Sequence, residues 1–133
     1  MDWLEQPAIY DLVSAPMTAS RLSQLLHSFP HVEETTPFGP DALVQKVGGK
    51  LFAIYDPSGD PLRVNLKCDP DRSLELREKY DSIIPGYHMN KRHWNTLILD
   101  GTIPPDLVKE LIQHSYYLVY RSLTRAVRKE LEG

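Results

Sequence analysis

The sequence predicts an α+β fold: a two-layer sandwich in which an antiparallel sheet of about five strands carries N- and C-terminal helices on one face. Three observations predict it. Gly48-Gly49 joins two apolar runs, and such a two-residue link marks a hairpin because primed turns need positive φ. Leu62, Val64 and Leu66 alternate with Arg63, Asn65 and Lys67, the period of a half-buried strand. Apolar residues recur at helical spacing near both ends: Leu22, Leu25, Leu26 and Phe29, then Leu107/Val108, Leu111/Ile112, Leu118/Val119, Leu123 and Val127.

Each element has a local cause. Residues 1–17 read as an N-terminal extension, and 18–133 as one domain. Pro7 opens a short apolar-rich stretch that Ala15-Pro16 breaks, because the residue before a proline avoids the helical region. Thr18 caps the first helix and Pro30 ends it. Glu33–Pro37 reads as a short edge strand, since Pro37 cannot donate to a ladder. Leu43–Val47 and Lys50–Tyr55 form the hairpin, a looser turn spans 56–61, and Leu62–Lys67 is the next strand. Asp69-Pro70-Asp71 starts a short helix with a cap, a first-turn proline and a dipole-matched acid; Leu74 and Leu76 anchor it. A loop covers 81–92, Trp94–Leu99 is the last strand, and Pro104-Pro105-Asp106 opens one long C-terminal helix.

At 133 residues the chain has the commonest domain size and buries roughly two-thirds of its unfolded surface. Cys68 is its one cysteine, so it holds no internal disulfide and suits a reducing compartment. The N-terminus lacks a signal-peptide pattern, and no apolar stretch approaches the ~20 residues of a membrane span. These features predict a cytoplasmic protein with no membrane partner. The formal net charge of -3 argues against coating nucleic acid by bulk charge, so any anion contact falls to a local patch.

That patch is sought between Ile84 and Asn95. The stretch crowds two histidines, two adjacent bases and two aromatics into a loop entering a strand, a mixture that core packing does not require. Lys91 and Arg92 suit phosphate, His88, Asn90 and His93 supply hydrogen bonds, and Tyr87 or Trp94 offers a stacking face. Arg63 and Lys67 share one strand face beside them. Each residue also has a structural reading: Trp94 packing on the last helix, His93 capping a strand end, Asn95 bonding a turn. Arg121, Arg125 and Arg128 lie on one face of the last helix, where a solvated surface is the simpler account.

Five blocks carry a family resemblance: Thr36-Pro37-Phe38-Gly39-Pro40, Lys46 to Ala53, Leu66-Lys67-Cys68-Asp69-Pro70, Pro85 to Thr96, and Ser115-Tyr116-Tyr117-Leu118-Val119. Together, and in this order, they resemble the MmcQ/YjbR family over about residues 18–128. The resemblance implies a CyaY-like, frataxin-like fold. It also implies a DNA-binding label that rests on a "double wing" of loops. Iron binding of the frataxin kind uses a ridge of acids on the first helix, and Thr18–Phe29 contains none. No metal-ligand spacing, cofactor motif or nucleophile–base–orienter set is present, so the expectation is no metal, no cofactor and no enzyme. Gly48-Gly49-Lys50 lacks the first Gly and the Ser/Thr of a phosphate loop.

The functional expectation is weak, largely sequence-neutral binding of double-stranded DNA through Arg63, Lys67, His88, Asn90, Lys91, Arg92, His93 and Trp94. The alternative is a protein-interaction or small-anion-binding adaptor using the same surface. An enzyme built on Cys68 or the histidines is the third class.

Overall fold

The computed structural model describes residues 17–133. The N-terminal extension lies outside them apart from Met17. The described elements are α1 (Ala19–His27), β1 (Val32–Thr35), β2 (Leu43–Val47), β3 (Lys50–Tyr55), β4 (Arg63–Lys67), α2 (Pro70–Lys79), β5 (Ile83–Pro85), β6 (Trp94–Ile98), α3 (Pro105–Ser122) and α4 (Arg125–Glu132). The strands form one antiparallel sheet in the order β1-β2-β3-β4-β6-β5.

The predicted α+β sandwich is what the chain forms, with three corrections. The sheet has six strands, because Ile83–Pro85 pairs with β6 as an edge. Three residues ending in proline carry no readable alternation, and proline is tolerated only at such an edge. The long C-terminal helix is two helices. It breaks at Leu123, where the backbone turns extended, and Thr124 then caps α4 by accepting the Val127 N–H. Leu74 anchors nothing: it is exposed, and Leu76 alone of the pair is buried.

Other local expectations hold. The Thr18 hydroxyl accepts the Arg21 N–H, and the Asp69 carboxylate accepts from Asp71 and Arg72. Gly48 and Gly49 both have positive φ and turn the β2–β3 hairpin. A methyl at Gly48 would also sit 2.6 Å from Leu123 Cδ1, so the position excludes larger residues twice over.

Register defines the two faces of the sheet. Tyr55, Val64, Leu97 and Ile83 align across β3, β4, β6 and β5, and all four belong to the core beneath the helices. Tyr116 on α3 anchors that layer. Its ring stacks on Phe29 at 4.8 Å and meets Phe52 edge-on at 5.3 Å, while its hydroxyl donates to Pro30 O at 2.6 Å. Ser115 enters the sheet itself: its hydroxyl accepts the Lys67 N–H at 2.8 Å and donates to Phe52 O at 2.6 Å. By alternation, the row Ile54, Asn65, Thr96 and Ile84 points the other way, onto the face opposite the helices.

Candidate functional site on the open sheet face

A groove of about 710 Å³ lies over that open face. Ile54, Asn65 and Thr96 line it from adjacent strands. Antiparallel register puts the 36–42 loop and the 56–61 turn at one end of these strands and the 86–93 loop at the other. The three loops contribute Phe38, Asp41 and Ala42, then Asp56, Gly59, Asp60 and Pro61, then Tyr87, His88 and Met89. Phe38 is 73% exposed and Tyr87 63%, although both are large and apolar. Exposed rings gathered at a concave surface mark a binding site more than single scattered ones do.

The polar groups on the groove wall position Tyr87. Thr96 donates its hydroxyl to Asn65 Oδ1 and accepts the Tyr87 N–H at 3.0 Å. The Asn65 amide donates to Tyr87 O at 3.4 Å. Both backbone groups of Tyr87 are therefore held from the strands, and its ring projects beside His88, 4.0 Å centroid to centroid. His88 has φ +58°, a left-handed conformation that few side chains adopt and that tends to persist at functional sites.

A second set of bonds fixes the rest of the loop. Arg77, in the last turn of α2, donates Nε to Asn95 Oδ1 at 2.7 Å, and its Nη2 bonds Trp94 O at 3.2 Å and also Lys91 O. Lys91 Nζ donates to Gly86 O at 3.1 Å. The Asn90 side chain accepts the Arg92 N–H at 2.9 Å, and its carbonyl accepts from His93 and Trp94. Gly86 packs so closely that a methyl there would lie 2.7 Å from Trp94 Cβ.

The eight residues named from the sequence thus divide. Arg63 and His88 line the groove. Lys67 and Trp94 are register partners on the same open face, with Trp94 half-buried. Asn90 and Lys91 spend their polar groups on the loop, His93 gives its carbonyl to the Cys68 N–H at 2.8 Å, and Arg92 is exposed. Phe38, Ile54, Thr96 and Arg77 were missed. Phe38, an aromatic in a Gly/Pro loop, was the one visible clue. Arg77 reads in sequence only as a cation suited to a helix end.

Charge at the groove is mixed. Asp41, Asp56 and Asp60 face it with a single guanidinium, Arg63. Hydrogen bonds from the Ser58 hydroxyl and N–H hold the Asp56 carboxyl below its usual range.

Elsewhere, Cys68 is buried, and burial pushes its thiol up, against the direction that activates a nucleophile. Its neighbour at the start of α2 is a polar cluster: Arg72 pairs with Glu110 across α2 and α3, and His114 Nε2 accepts the Asp69 N–H at 3.2 Å. Among the described residues, no group of three or more His, Cys, Asp or Glu converges as a metal site would, and no helix is long and apolar enough to cross a membrane.

An open antiparallel sheet of six strands with helices on one face and a loop-walled groove on the other defines an α+β domain. The chain belongs to the YjbR family, whose model matches residues 27–118. It is 40% identical over 121 residues to "Uncharacterized protein YbdF" of Escherichia coli O157:H7, covering 91% of this chain and 97% of that one. It is 32% identical to "Uncharacterized protein YjbR" of Escherichia coli strain K12, covering 86% and 98%. Among solved structures it resembles a Deinococcus radiodurans protein of the family-model domain DUF419, with a TM-score of 0.83, 46% identity and coverage of 90% and 92%. A Pseudomonas syringae protein matches with a TM-score of 0.68, 26% identity and coverage of 77% and 99%.

Proposed function

We propose that this protein is a non-enzymatic binding module that seats its ligand in the groove on the open face of the sheet. The observation that carries the reading is the cavity itself. Its volume of about 710 Å³ falls within the roughly 300–1,000 Å³ of small-molecule sites, and exposed rings flank a floor that is already hydrogen-bonded. Asn65 and Thr96 are engaged with each other and with Tyr87, so they preorganise the groove rather than wait as reacting groups. The buried, raised thiol of Cys68 supports the non-enzymatic part. The same buried free thiol suits the reducing, cytoplasmic setting included in this reading.

The test is a ligand-observed NMR fragment screen on the full chain and on Phe38→Ala/Tyr87→Ala. Both residues are exposed, so the variant keeps the fold. The expected result is a set of hits lost in the variant. Hits that survive it unchanged place binding elsewhere.

Duplex DNA is a second reading, and one observation favours it: Arg63 and Lys67 stand on the open face, with loops rising from both ends of the strands. Three groove aspartates weigh against it, as does the use of Lys91 and Arg77 inside the loop. Fluorescence anisotropy with a labelled duplex, against Arg63→Ala/Arg92→Ala, decides. Binding that falls steeply with salt and is lost in the variant supports DNA; no binding at low salt removes it.

A further inference from the structure

We propose that the groove takes a small organic cation: an amine, quaternary ammonium or guanidine carried on an aromatic or aliphatic body. This rests on the groove being the binding site and adds the class of its ligand. Two independent features select it.

The first is the distribution of charge. Carboxylates enter from two of the three loops, Asp41 from one and Asp56 and Asp60 from another, against the lone guanidinium of Arg63. Asp41 and Asp60 are exposed and make no hydrogen bond within the described structure that would occupy their side chains. A free carboxylate in such a cleft attracts a cation and repels an anion, and low-dielectric walls strengthen both effects. The acids are not drawn together as ligands of one metal ion. They are spread around an apolar cavity, which suits a charge fixed to an organic frame.

The second is aromatic. Phe38 and Tyr87 present largely exposed rings. The face of an aromatic ring carries negative quadrupole density, so it favours an ammonium or guanidinium over a carboxylate. Ile54 and Met89 add apolar surface for the body of the ligand.

A matched pair of probes tests the proposal: naphthylethylammonium and naphthylacetate, which share one apolar body and differ in the sign of the charge. Binding is followed by naphthalene fluorescence at low salt for the wild type, for Asp41→Asn/Asp60→Asn and for Phe38→Ala/Tyr87→Ala. The ammonium is expected to bind about tenfold more tightly than the carboxylate. The aspartate variant should erase most of that preference while retaining the ammonium, and the aromatic variant should weaken both probes. Equal or tighter binding of naphthylacetate overturns the cation assignment and leaves the groove reading standing. Probe binding that ignores Phe38→Ala/Tyr87→Ala overturns both. Failure of the ammonium to bind at millimolar concentration also overturns the assignment.

Discussion

Arg77 joins the helical layer to the groove. Its guanidinium reaches Asn95 Oδ1, Lys91 O and Trp94 O from the end of α2, and so sets the path of the chain into β6. Arg77→Ala leaves the buried Asn95 oxygen and two carbonyls without that donor. Stability should fall by about 2–3 kcal/mol, with little recovery in Arg77→Lys, because an ammonium lacks the planar fork. Urea unfolding measures this; a loss under about 1 kcal/mol would show that water replaces the arginine.

His114 makes a pH-dependent prediction. Burial, aided by Arg72, holds its imidazole below the usual 6.5. Its Nε2 accepts the Asp69 N–H, which requires the neutral ring. Arg121 opposes protonation as well, while Glu110 and Asp69 favour it. Because the folded value is depressed, the unfolded chain takes up the proton first as pH falls below 6.5. The stabilisation is therefore present at neutral pH and lost on acidification through the folded value. Between pH 7 and pH 5 the wild type should lose more stability than His114→Gln, whose amide oxygen still accepts from Asp69. Parallel losses in the two proteins would remove His114 from the account.

Elements were legible where their signals are local. The Gly48-Gly49 turn and the Leu62/Val64/Leu66 alternation lie within a few residues, and both are found in place. The C-terminal break was hidden because the apolar stripe runs on through Leu123 and Val127, which both still pack on the core. A cap, rather than a change in hydrophobicity, marks the new helix. Thr124→Ala should therefore cost about 1 kcal/mol and fray α4, read by urea unfolding and amide exchange at Val127. No change at Val127 would mean that packing alone sets the boundary. Ser115 is a stronger constraint, since one hydroxyl bridges the separating ends of β3 and β4. In urea unfolding, Ser115→Ala should cost about 1–3 kcal/mol by leaving the buried Phe52 carbonyl and the part-buried Lys67 N–H without this partner.

At the scale of the molecule, the fold was readable and the groove was not. Thr96 joins Ile54 and Asn65 on its floor only because β6 inserts beside β4, an adjacency with no local signature. Arg63, Lys67, His88 and Trp94 were found near it because a face pattern and a loop composition are local. The other named loop residues drew notice for polarity that Asn90 and Lys91 largely use on the loop itself. Opposed helices and groove give the domain a division of labour: α1 and α3 bury one side of the sheet, and three loops build on the other.

The most direct measurement of the central claim is amide chemical-shift mapping of the full chain with the tightest fragment from the screen. Shifts should concentrate at Phe38 to Ala42, Ile54, Asp56 to Asn65, Tyr87 to Met89 and Thr96. Shifts clustered instead on α3, or on the basic surface of Arg125, Arg128 and Lys129, would contradict it.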